Sequence, residues 1–172
     1  ELRTHAPAVA LPSAARREPL DLAPQPGDDG PRGVHYPTDV QPILDRHCVR
    51  CHGGDKPKGK LDLTGQPTRL FSRSYENLIR RGLINHINVD PRDAYIAAEP
   101  PLTFGSHRSK LIAHLRAGHK DVKLSPAEWI RLVTWIDTNA NFYGTYAGRR
   151  NVKWKGREDF RCYVPTHSLI NY

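Results

Sequence analysis

At 172 residues the chain is long enough for one core and too short for several, and with 38% hydrophobic and 8% aromatic residues that core is lean for its length. Its 26 Lys and Arg against 18 Asp and Glu give a formal charge of +8, but no block of like charges marks a nucleic-acid arm; a solvated basic surface or an acidic protein partner remains. No apolar run reaches the ~20 residues that cross a bilayer, so no transmembrane segment is expected.

Residues 1–33 carry Pro7, Pro12, Pro19, Pro24, Pro26 and Pro31 among glycines, without apolar periodicity. They read as a Pro/Gly-rich linker, or an extended arm lying over a neighbour. A folded domain is expected over 34–142. Thr38 and Gln41 form a capping-box pattern, and Val40, Ile43 and Leu44 give a short apolar helical face leading into Cys48.

The run that follows, Cys48-Val49-Arg50-Cys51-His52, organises the reading. A Cys-x-x-Cys-His run is the attachment signature of a c-type haem. Two thiols at this spacing each add to one vinyl group of a single haem, and the histidine directly after them supplies an axial ligand. A structural zinc site wants a second ligand pair, and no second Cys-x-x-Cys exists. A thioredoxin-like dithiol wants a strand before and a helix after, where this chain has Gly53, Gly54 and Pro57. One covalent haem c is therefore the expected cofactor, and its own apolar surface would enlarge a lean core.

Beyond the motif, residues 53–73 read as a polar, turn-rich loop with one short strand near Leu61–Leu63. Ser74 is expected to cap a helix from Tyr75 to Arg81, ended by Gly82. An irregular stretch over 83–105 leads to a helix capped by Ser106, running to about Ala117 and stopped by Gly118. Ser125, Pro126 and Glu128 then form an N-cap, a first-turn proline and a capping-box partner. The helix they start places Trp129, Leu132, Val133 and Ile136 on one face. The segment 143–172 is an aromatic and basic tail expected to pack on the domain or a neighbour. The fold class expected is mainly α: a small cytochrome c-like haem domain with long loops, preceded by the Pro-rich arm.

The sequence contains no methionine, so the second axial ligand within this chain is a histidine, a weaker ligand such as Tyr, or none. His119 is the first choice, in the loop after Gly118 and before the last helix. His107 is the second, and His114 and His86 follow; for each, a surface or hydrogen-bonded core histidine is the plainer alternative. His5, His35 and His167 fall in extensions and read as surface residues, and His47 as a local polar residue. Two histidine ligands leave no room for substrate and make an electron carrier, whereas an open position favours reduction of peroxide or nitrogen oxides. No acid/base constellation beside the motif argues for the latter, so no catalytic residue is assigned. Lys56, Lys58 and Lys60 either steer a redox protein partner toward the haem or belong to a solvated loop. Lys153, Trp154, Lys155 and Arg149 carry no nucleic-acid motif. Cys162 is left over, as a free thiol or as one half of a disulfide to a segment not in this chain.

Four segments together resemble a known family: YPTDVQPILDRHCVRCHGG (36–54), KGKLDLTG (58–65), FSRSYENLI (71–79) and FGSHRSKLIAHLRAGHKDVKLSPAEWIRLVTWIDTNANFYGTYAGRRN (104–151). They are similar to the C-terminal c-type haem domain of the hydrazine synthase alpha-subunit-like multihaem proteins of planctomycete-type bacteria. The opening Glu1-Leu2-Arg3-Thr4, with Ala6 and Pro7, is similar to residues directly after an earlier haem motif in that family. The resemblance implies a C-terminal piece of a larger exported, periplasmic multihaem protein. It implies a bis-histidine haem serving electron transfer, with His52 on one side and His119 in Gly118-His119-x-x-Val122-x-Leu124 on the other. Hydrazine-forming chemistry belongs to other regions of such proteins, so the parent would be an oxidoreductase while this chain alone is not expected to be catalytic.

Overall fold

The computed structural model describes residues 17–18, 23–85 and 100–144. His5, His86, His167, Cys162 and the tail from residue 145, with its basic aromatic run at Arg149–Lys155, lie outside them. Among the described residues the chain is mainly helical, with four α-helices and no β-strand. These are α1 (Gln41–His47), α2 (Arg73–Arg80), α3 (Lys110–Arg116) and α4 (Pro126–Asp137). None of them is long and apolar enough to cross a membrane.

A single π-helical turn, Tyr36–Val40, leads into α1. The capping box expected at Thr38 and Gln41 does not form. Thr38 Oγ1 instead meets His35 Nδ1 at 2.9 Å, and Gln41 turns inward. The Gln41 amide donates to the Leu63 carbonyl (3.0 Å), and its oxygen accepts from Ser74 Oγ (2.5 Å). Ser74 in turn accepts from the Tyr36 hydroxyl at 2.8 Å. Burial makes each unmet polar group costly, so the side chains that close this chain of bonds are unavailable as helix caps.

The same competition moves the start of α2. With Ser74 committed to the buried network, Ser72 becomes the N-cap and its hydroxyl accepts from the Tyr75 N–H. The helix stops as expected at Gly82, whose φ of +58° permits a Schellman closure: Gly82 N–H to Ile79 O and Leu83 N–H to Leu78 O. Likewise Ser106 is not the cap of α3. Its N–H and hydroxyl both bond Asp137, at 2.6 and 3.0 Å, and Ser109 takes over as the N-cap by accepting from the Ile112 N–H. The α4 start is as the sequence predicts, with Ser125 and Glu128 in a complete capping box and Pro126 in the first turn. Its buried face is Leu132, Trp135 and Ile136, with Trp129 and Val133 only half-buried, so the inward stripe is rotated toward Trp135.

Aromatic rings form the centre of the core. Tyr36 is fully buried and lies 5.0 Å from Trp135, 5.1 Å from Tyr75 and 5.5 Å from Phe142 between ring centroids. Such pairs add to the area they bury. Trp135 donates to the Asn141 carbonyl and Tyr75 to the Ala140 carbonyl, so the polar tips are satisfied. The short strand expected at Leu61–Leu63 is absent because its backbone is used elsewhere: Leu63 N–H bonds His52 O at 2.7 Å, and Leu63 O receives Gln41.

The end of the Pro-rich arm is anchored rather than loose. Arg32 forks onto Asp39 (2.6 and 2.8 Å) and reaches Asp28, while Arg131 of α4 forks onto Asp28 (2.8 and 3.1 Å). Gln25 also bonds Thr134 of α4. The boundary placed between residues 33 and 34 thus falls inside one network. Hydrogen bonding from Arg131, followed by Arg32, outweighs burial and holds Asp28 below the usual carboxylate range. His35, read from sequence as a surface residue, is instead fully buried, and burial lowers its pKa.

Candidate functional site

Helix α1 delivers the motif. Cys48 N–H still bonds Leu44 O, and the chain then tightens, with Cys51 N–H (3.0 Å) and His52 N–H (2.8 Å) both on Cys48 O. This turn brings Cys48, Cys51 and His52 to one cleft. Gly53 is required directly after it: a Cβ there would stand 2.7 Å from both the Val49 carbonyl oxygen and the Val49 side chain. The loop that follows folds back, with Lys58 N–H on Cys51 O and Leu63 N–H on His52 O.

His52 Nδ1 lies 2.9 Å from the Lys58 carbonyl oxygen. A carbonyl only accepts, so Nδ1 carries the proton, and in the neutral ring Nε2 keeps its lone pair. A backbone carbonyl is one of the partners that orient metal-binding histidines in this way. His119 sits in the connection between α3 and α4, where its carbonyl accepts from Val122 N–H at 3.1 Å. Its ring centroid is 6.0 Å from that of His52, with planes 23° apart.

Both histidines and both cysteines line one cleft of about 340 Å³, together with Val122, Arg50, Lys58 and Lys120. That volume lies in the range of cofactor sites. The four residues expected from sequence are therefore together. His107 is exposed in a short 3₁₀ turn and His114 is exposed on α3; neither lines the cleft. His47 lines it but bonds Glu128 through Nε2 at 3.0 Å. Glu128 also accepts from Arg46 and from the Ser125 N–H. Burial acts to raise the Glu128 pKa, yet the Ser125 backbone, His47 and the Ser125 hydroxyl outweigh it and bring it down to about 2.

The donor set discriminates among cofactors. Among the described residues no three His, Cys, Asp or Glu side chains stand close enough together to hold a bare metal ion between them. Burial, and then the neighbouring Cys51, push the Cys48 thiol up to about 11, the reverse of the lowered pKa that marks a reactive dithiol. Cys48 and Cys51 are both free thiols. Haem iron asks only two ligands of the protein. Metal–nitrogen bonds of roughly 2 Å on each side of a shared iron set imidazole centres roughly 6 Å apart, which the His52–His119 spacing matches. The residues fit a haem held by two thioethers and two histidines.

One feature of the cleft has no sign in the sequence. Arg50, between the two cysteines, makes an ion pair with Asp121 in which its Nη2 lies 2.7 and 3.0 Å from the two carboxylate oxygens, joining the motif to the His119 connection. No family model, curated protein or solved structure matches the chain.

Proposed function

We propose that this chain is a cytochrome c-like electron-transfer domain with one covalent haem c. The observation that carries the reading is the meeting of Cys48, Cys51, His52 and His119 in one cleft, with the imidazoles 6.0 Å apart. Cys48 and Cys51 would tether the ring by adding their thiols to its two vinyl groups, and His52 and His119 would ligate the iron. When bound, such a group supplies a one-electron iron couple, lower in potential than one with a methionine ligand. The Lys58 carbonyl fixes the His52 tautomer. No residue here is assigned to bond-making chemistry.

Exposed Lys56, Lys58, Lys60, Lys120 and Lys123 outnumber the exposed Asp55 and Asp121 beside them. They suit an acidic redox protein partner, or an acidic face of another haem domain in one multihaem protein. Covalent haem attachment implies an exported, periplasmic compartment. The resemblance to the terminal haem domain of hydrazine synthase alpha-subunit-like proteins agrees with this role, with catalysis left to other parts of such a protein.

Co-expression with a haem-attachment system, then acidified organic extraction and intact mass measurement, tests the attachment. One haem retained by the wild type, and lost from a Cys48→Ala/Cys51→Ala double variant, is the expected result. Complete extraction from the wild type contradicts it.

A further inference from the structure

We propose that Arg50 and Asp121 are positioning residues for His119, a strut across the cleft that governs how often the distal histidine leaves the iron. The inference rests on the ligation reading above.

The two ends of the strut are held very differently. Arg50 stands in a turn fixed by the Cys51 and His52 bonds to Cys48 O. Asp121 is two residues beyond His119, in a connection that packing does little to hold: residues 117–121 are all exposed. Lys120, next to His119, has φ +56°, a left-handed conformation that costs a residue with a side chain and that persists only when something enforces it. One guanidinium nitrogen, Arg50 Nη2, reaches both Asp121 oxygens in a charge-assisted contact that ties the connection to the turn. Without it, the connection is free to relax Lys120 and swing His119 outward.

Both partners are largely exposed, at 74% and 70%, so the pair adds little to global stability. Its effect falls on a local two-state equilibrium, His119 on or off. Exposure also makes the strut sensitive to salt, because at 1 M ionic strength the screening length is about 3 Å, comparable with the pair itself.

The test uses haem-loaded protein and the rate at which the ferrous form takes up carbon monoxide, which requires His119 to leave. Arg50→Gln and Asp121→Asn should each raise that rate about two- to fivefold, the scale of an exposed ion pair. The double variant should match the single ones, as expected for one shared interaction. Added salt at 1 M should accelerate the wild type by a similar factor and leave the variants unchanged. The unfolding midpoint should not move, which separates positioning from a general structural role. Unchanged rates in both single variants, in a protein whose wild type is low-spin and whose His119→Ala variant is open, overturn the strut and leave the ligation intact. A wild type that takes up carbon monoxide as fast as His119→Ala overturns the ligation, and the strut with it.

Discussion

At the scale of single residues, the site depends on groups that must be held in one protonation state and one direction. His52 is directed by a backbone carbonyl, so no side-chain substitution removes its partner directly; the loop that presents Lys58 O is the lever. Gly53 begins that loop under a carbonyl 2.7 Å from its missing Cβ. Gly53→Ala is expected to cost roughly 1–3 kcal/mol through overpacking and to lower the yield of haem-loaded protein. Thermal unfolding and the ratio of haem to protein measure this. That Cys48, Cys51, His52 and His119 share one cleft was legible in the sequence only in part: the motif keeps the first three together, whereas His119 is brought to them from the loop before the last helix. Arg50 and Asp121 were not legible, since pairing across 71 positions leaves no local pattern. His35 was misread for a similar reason: only the three-dimensional fold buries it.

At the scale of elements, helix starts are decided between competing serines. Ser74 and Ser106 spend their hydroxyls on Gln41 and Asp137, whereas Ser72 and Ser109 accept from the first N–H groups of α2 and α3, Ser109 while also donating to the Leu83 carbonyl. The start of α4 was legible because Ser125, Pro126 and Glu128 all act locally. Ser125→Ala is expected to cost about 1 kcal/mol, read from denaturant unfolding. Glu128 adds a pH dependence. Its folded pKa of about 2 lies below the ordinary 4.5, so its contribution is fully present above about pH 4.5 and is lost as the pH falls toward 2. Glu128→Gln should flatten that part of the stability profile. An unchanged acid limb in the variant would show that other carboxylates set it.

At the scale of the whole molecule, an aromatic core around Tyr36 and Trp135 supports a cleft that polar loops assemble. Trp135→Ala is expected to cost about 3–5 kcal/mol and to reach the site through α4 and the His47–Glu128 contact. The cationic surface beside the cleft belongs to this scale too. Electron transfer to an acidic partner should slow as ionic strength rises, and a salt-independent rate would remove that surface from the docking account. The central claim is that two histidines of this chain ligate one haem iron. It is tested most directly by the optical spectrum of the haem-loaded protein, oxidised and dithionite-reduced, with and without carbon monoxide. A low-spin c-type spectrum that carbon monoxide leaves unmoved on mixing, together with a high-spin, carbon-monoxide-binding His119→Ala variant, is the predicted result. A wild type that is already high-spin, or whose spectrum shifts at once with carbon monoxide, contradicts it.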